Sequence, residues 1–164
     1  TVAHQRLLVR DAMTDHLSVD RVSRRTYLAE LANSKVVLSP FGFGEINIKD
    51  FETFISGALL MKPDMSHVET WPDLYRNDET YVSFSWDALD LMEKLSEVLA
   101  NYQDFVTIAH AGQETYRHHA PTTETGSDAF VTRFRSLVEL SLTPPALAPS
   151  CPQGENVTRY SQSN

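Results

Sequence analysis

The sequence predicts an α/β protein whose parallel sheet carries helices on its faces. Three observations support this. Val36-Val37-Leu38 and Ala58-Leu-Leu-Met61 are short apolar runs without alternation, as expected of strands buried on both faces. Between them, Lys49 to Ser56 places Phe51, Phe54 and Ile55 along one helical face and closes on Gly57, a residue suited to the left-handed end of a helix. Strand, helix and strand in that order make a parallel crossover unit.

The remaining elements follow in chain order. In residues 1–22, Leu7, Leu8, Val9, Ala12 and Met13 cluster as in a short helix, read as a lead-in helix or linker. Tyr27, Leu28, Leu31 and Ala32 predict a helix over 23–33, with Ser23 as its N-cap. Residues 63–78 hold two prolines and read as a loop anchored by Trp71 and Leu74. Thr80-Tyr-Val-Ser-Phe84 alternates like a strand. Ser85 or Asp87 would then cap a helix running to about Asn101, its stripe of Leu89, Met92, Leu95, Val98 and Leu99 facing the core. Two more helices are expected, from about Gln103 to His118 and from Ser127 to Leu142. After Thr143 the chain turns to Pro, Ser, Gln and Asn, the composition of a disordered tail over 143–164. A domain over 23–142 is thus expected, with few strands for a free-standing doubly wound sheet.

With 164 residues, 41% of them apolar and 22% charged, the chain suits one soluble domain. A formal charge of −8 argues against nucleic acid as a partner, because phosphate backbones require clustered Lys and Arg. That balance leaves room for one small anionic ligand. Cys151 is the single cysteine, so no internal disulfide can form, and a cytoplasmic location is expected. No run of 18 apolar residues occurs, so no transmembrane segment is expected, while peripheral association with a membrane stays open. The Asn156-Val-Thr158 sequon is read as chance in such a chain.

In open α/β sheets, ligands sit beyond the carboxyl ends of the strands, which places the turn Phe41-Gly-Phe-Gly-Glu45 at such a mouth. Gly42 and Gly44 allow backbone to approach a ligand without an intervening Cβ, with Phe43 between them. The helix that follows aims amides and a positive dipole end at the same space, an arrangement suited to phosphate. Carboxylates there accept paired hydrogen bonds from vicinal hydroxyls, and Glu45 and Glu52 bracket the turn and the helix start. These residues point to a nucleotide or sugar-nucleotide site.

The stretch from about Tyr27 to Thr115 resembles the donor-binding, C-terminal domain of bacterial GT-B glycosyltransferases of the group-1 type. The likeness rests on Ser34-Lys-Val-Val-Leu-Ser-Pro-Phe-Gly-Phe-Gly-Glu45 and on Phe51-Glu52-Thr-Phe-Ile-Ser-Gly57-Ala-Leu-Leu-Met61. Glu79-Thr-Tyr-Val-Ser-Phe84, Trp86-Asp-Ala-Leu-Asp-Leu91 and Ile108-Ala-His-Ala-Gly112 continue it in matching order. The resemblance implies a Rossmann-like domain forming one half of a GT-B architecture, and hexosyl transfer from a nucleotide-diphosphate sugar to a polysaccharide, glycolipid or other glycan or lipid-linked acceptor. Glu52 would bind the ribose hydroxyls. Glu45 would lie by the sugar as the catalytic carboxylate, and the Gly42–Glu45 backbone would meet sugar or diphosphate. Glu45 and Glu52 stand one residue closer than in the family pattern. The cations expected near the diphosphate have Arg21, Arg24 and Arg25 as nearby candidates. No Asp-x-Asp occurs, so no metal is expected, and no cofactor beyond the sugar nucleotide as co-substrate. The competing readings are a non-catalytic nucleotide- or sugar-binding domain that kept the fold, and an interaction module with a purely structural core.

Several other residues are read more plainly. Asp64, Ser66 and His67 follow a strand and would border the site or cap a loop. Adjacent residues on a helix diverge by about 100°, so His118 and His119 make an awkward shared metal ligand. His110 reads as a packed or surface residue, and Trp71 and Trp86 as anchors of core edges.

Overall fold

A computed structural model describes residues 2–14, 16, 22–120 and 124–142. The tail, Cys151, the sequon and Arg21 lie outside the described residues. The elements are α1 (Val2–Met13), α2 (Arg24–Asn33), β1 (Val36–Leu38), α3 (Ile48–Ser56), β2 (Leu59–Pro63), β3 (Val82–Phe84), α4 (Leu91–Ala100), α5 (Tyr102–His119) and α6 (Glu124–Leu142). β1, β2 and β3 form a three-stranded parallel sheet in that order. Val36 pairs with Leu59 and Leu38 with Met61, while Met61 pairs with Val82 and Pro63 with Phe84. The chain is therefore mixed α/β with a small parallel sheet flanked by helices. It divides into two compact units, Thr1–Phe130 and Val131–Asn164. The first carries the sheet, and the described part of the second is the remainder of α6. No described helix is long and apolar enough to cross a membrane.

The helix ends follow the local chemistry of the sequence. Ser23 caps α2 by accepting the Thr26 amide at 3.1 Å. Asn47 caps α3 through Oδ1, which accepts the Lys49 amide at 3.1 Å, and Asp50 returns the favour by accepting the Asn47 amide at 3.2 Å. Gly57 ends α3 with φ of 80°, its amide bonded back to Thr53 and Phe54 carbonyls.

Several boundaries differ from expectation: α6 starts at Glu124 rather than Ser127, β2 runs on to Pro63, and β3 and α4 start late. β3 starts at Val82 because the Thr80 hydroxyl is used on Leu74 and Arg76 while Tyr81 bridges to Asn77. α4 starts at Leu91 because Asp90 accepts the Ser85 amide and Asp87 accepts that of Leu89, closing a turn in which Ala88 has φ of 59°.

Side-chain alternation along the strands divides the core. Leu59 and Met61 of β2 join Val82 and Phe84 on one face, against Leu91, Leu95 and Val98 of α4 and Ala109 of α5. The segment expected as a lead-in contributes here, since Val9 and Met13 of α1 are buried in the same cluster. On the other face Leu60 meets Phe54 of α3, with Met65, Leu74, Tyr75 and Tyr81 from the β2–β3 connection. Tyr116 of α5 stacks on Phe54 with ring centroids 6.4 Å apart. A third cluster of Leu31, Val37 and Ala58 seats α2. Lys62 falls on the Leu60 side of β2 by the same alternation, and it is fully buried.

Candidate functional site at the carboxyl edge of the sheet

A lysine in a buried strand requires a partner, because an uncompensated charge inside a protein costs several kcal/mol. Lys62 finds Asp50, the third residue of α3, also fully buried, with Nζ 3.1 Å from Oδ2. The ammonium also reaches the Ser39 carbonyl at 3.5 Å and lies 5.0 Å from the centre of the Phe41 ring. The Asp50 carboxylate is saturated. It accepts the Ser39 hydroxyl at 2.5 Å, the Tyr75 hydroxyl at 2.9 Å, the Asn47 amide and the Lys62 ammonium. Burial is the main reason that the Lys62 pKa falls below the usual lysine range, with Asp50 opposing it. Burial chiefly, and then Asp50, holds the Tyr75 phenol protonated far above its ordinary range. The network locks the residue after β1, the end of β2 and the first turn of α3 to one another. It therefore fixes the base of the 41–45 turn.

Above that base, α1 grips the turn from outside. The Phe41 amide donates to the Gln5 side chain at 2.5 Å, and the Phe41 carbonyl accepts Arg6 Nε at 3.2 Å. The Arg6 guanidinium lies where a side chain at Gly42 would begin, 2.7 Å from an idealised Cβ, so only glycine lets it approach. Gly44 has open space around it, Phe43 is fully exposed, and Glu45 is half-exposed, 3.9 Å from His67. Glu52 lies elsewhere, turned toward α2. It accepts the Tyr27 hydroxyl at 2.8 Å and lies 3.6 Å from Arg24, so each of its oxygens already has a partner. Burial and Glu52 together push the Tyr27 pKa up to about 12.

Alongside β1 runs a cleft of about 1050 Å³. Its lining brings Arg6 and Arg10 of α1 together with Lys35, Lys49, Ser39 and Asn47. Among the described residues of that lining Glu30 is the one carboxylate, set against four Lys and Arg side chains in a chain whose net charge is −8. Arg6 and Lys49 make no ion pair with a carboxylate among the described residues. Burial first, and the neighbouring Arg6 second, lower the Lys49 pKa. The cleft floor is apolar, with Val9, Met13, Leu31, Leu95 and Leu99. Chemically, the cleft combines cationic and apolar side chains along the length of β1, from Lys35 before the strand to Ser39 and Lys49 at its carboxyl end.

The glycine turn and Glu45 thus sit at the predicted mouth, while Glu52 faces the α2–α3 junction. Sequence reasoning missed the Asp50–Lys62 pair, Tyr75, Arg6 and Lys49. A lone lysine in the run Ala58-Leu-Leu-Met-Lys-Pro63 was the available signal for a buried pair, and Asn47-x-x-Asp50 was the signal for its acid. Among the described residues, no group of three or more His, Cys, Asp or Glu is placed to hold a metal ion.

Fold and site together show a mixed α/β chain with a small parallel sheet and a cleft along β1 that Lys and Arg side chains line. Compared with protein-family models, with curated proteins and with solved structures, the chain matches none.

Proposed function

We propose that this chain binds a nucleotide-diphosphate sugar at the carboxyl edge of its sheet and serves as the donor-binding part of a hexosyltransferase of GT-B type. The observation that supports this reading best is that Arg6 and Lys49, neither in an ion pair with a carboxylate among the described residues, meet at the carboxyl end of β1, on the Phe41 and Leu38 carbonyls, in a cleft that Arg10 and Lys35 also line. Fixed cations at such a position balance a diphosphate in the bound state and more strongly as it leaves, when its charge grows. Arg6 and Lys49 take the diphosphate beside the Gly42–Gly44 backbone. The apolar trough along β1 receives the base, and Glu45 faces the sugar. Glu52 keeps the ribose role implied by the resemblance only if a ribose displaces the exposed Arg24 from it. The acceptor, a glycan or lipid-linked saccharide, would bind opposite this face.

The test is a thermal-shift panel of uridine, guanosine, adenosine and thymidine diphosphates with their hexose conjugates. A ligand specific for the native state adds about 2.7 kcal/mol at a hundredfold excess over Kd. A selective upward shift is expected for one base, reduced at least tenfold in affinity in Arg6→Ala and in Lys49→Ala. A flat panel, or unchanged affinity in both variants, would remove the reading. Glu52→Ala in the same panel decides the ribose assignment: loss of binding supports it, and retained binding makes Glu52 a tie between α2 and α3.

A further inference from the structure

The loops that follow the three strands converge on one aromatic cluster that no step above uses. Phe41 comes after β1, His67 after β2 and Trp86 after β3. The His67 and Trp86 rings lie 4.7 Å apart at 69°, and Phe41 meets Trp86 at 5.7 Å and 84°. Both are edge-to-face contacts, an arrangement that aromatic pairs prefer to a face-to-face sandwich. The Trp86 indole N–H donates to the Asp64 carbonyl at 2.9 Å, which fixes its orientation. Even so, Trp86 remains 52% exposed.

An indole fixed through its N–H and still half-exposed within a cluster of rings offers apolar surface that a ligand can cover. Its surroundings indicate which ligand. Glu45, a half-exposed carboxylate, lies 3.9 Å from His67, the ring that packs against Trp86. Ser66 is exposed, with its hydroxyl on Asp64 at 2.6 Å. An apolar ring face beside hydrogen-bond acceptors matches a pyranose, which has one face of C–H groups and a rim of hydroxyls. An anion would meet Glu45 and Asp64 unfavourably. The face of Phe41 is already taken by the Lys62 ammonium, which leaves less π surface for a second cation.

We propose that Trp86, held by Phe41 and His67, is the stacking platform for a hexopyranose ring, with Glu45 accepting from its hydroxyls. The assignment rests on the donor reading for its biological context, since Phe41 links this platform to the Arg6 mouth through its carbonyl. It stands on its own geometry as a sugar site.

The experiment uses saturation-transfer NMR of the full chain with methyl α-D-glucopyranoside, methyl α-D-galactopyranoside and methyl α-D-mannopyranoside, with choline chloride as a cationic probe. Transfer to the protons of one pyranose face is expected for at least one hexoside. Affinity should fall roughly tenfold in Trp86→Ala, the loss of one aromatic contact face, and stay within about threefold in Trp86→Phe. In a ¹⁵N spectrum of Trp71→Phe, where Trp86 is the sole indole, its Nε1–H resonance should shift on adding the hexoside, a readout available even if Trp86→Ala does not fold. No transfer to any hexoside, an unmoved indole resonance, or transfer to choline in place of sugar would overturn the assignment. Nucleoside diphosphates titrated separately keep the two proposals apart. A hexoside signal with no diphosphate binding leaves the platform and sinks the donor reading, and the reverse result does the opposite.

Discussion

Lys62 and Asp50 together decide whether the mouth of the sheet exists. Both are fully buried, so each charge depends on the other for compensation. Lys62→Met leaves Asp50 buried with two hydroxyls and one amide but no cation, and is expected to cost roughly 3–5 kcal/mol. Tyr75→Phe removes one hydrogen bond to the carboxylate and is expected to cost about 1–2 kcal/mol. Urea denaturation midpoints measure both, and a Lys62→Met loss under about 1 kcal/mol would show that the pair is not a structural tie. Gly42 is constrained just as locally, because a methyl group there meets the Arg6 guanidinium. The guanidinium is the free end of a flexible side chain, so Gly42→Ala is expected to displace Arg6 and weaken anion binding more than it lowers stability.

Packing at the level of elements turns on two close approaches. α5 crosses the sheet at Gly112, where an added Cβ would lie 2.5 Å from the Thr80 carbonyl and 2.9 Å from the Phe54 ring. Neither neighbour is free to yield, since Thr80 and Phe54 are buried. Gly112→Ala is therefore expected to destabilise by about 2 kcal/mol despite alanine's better helix propensity, and an unchanged or raised melting temperature would contradict this packing. At Gly57 the constraint is the backbone, φ of 80°, and substitution by alanine is expected to cost roughly 1 kcal/mol. These elements were legible in the sequence wherever one local signal dominated. The α2 cap, the α3 helix with its glycine stop, and the apolar runs of β1 and β2 each carry their own chemistry. The shortened β3 and the late start of α4 were not legible, because Thr80, Ser85 and Asp90 make hydrogen bonds that compete with the periodic pattern. The place of α1 in the core was hidden for another reason: Val9 and Met13 are buried only by contacts with distant parts of the chain.

For the molecule as a whole, the place of the 41–45 turn at the carboxyl end of β1 could be read from strand order and glycines, but the side chains gathered around it could not. The turn and Glu45 follow from local sequence, whereas Arg6 reaches Phe41 across 35 residues and Tyr75 reaches Asp50 across 25. The same long-range burial gives the fold a distinct dependence on pH. Tyr75 and Tyr81 are buried, and their phenols are raised, Tyr81 to about 12, with burial the largest cause in each. Tyr27 is raised to about 12 beside Glu52. An unfolded tyrosine releases its proton near pH ~10. Above that pH the unfolded chain has lost protons that the folded chain still holds, so stability falls as pH rises. Lys49 and Lys62, both lowered, act in the opposite sense: between their folded pKa values and about pH 10.4 the unfolded chain holds more protons, so stability rises with pH there. Past that point the tyrosines act alone. Tyr75 and Tyr81 together give a slope of about 2.7 kcal/mol per pH unit, and the more exposed Tyr27 adds less because solvent screens it. The urea midpoint is thus expected to hold up to about pH 10 and to drop steeply by about pH 11.5, with Tyr75→Phe removing one proton's share of the slope. A midpoint unchanged across that interval would contradict the argument. So would absorbance at the phenolate band showing all six tyrosines of the folded chain ionising together near pH ~10, since the buried phenols would then be open to water.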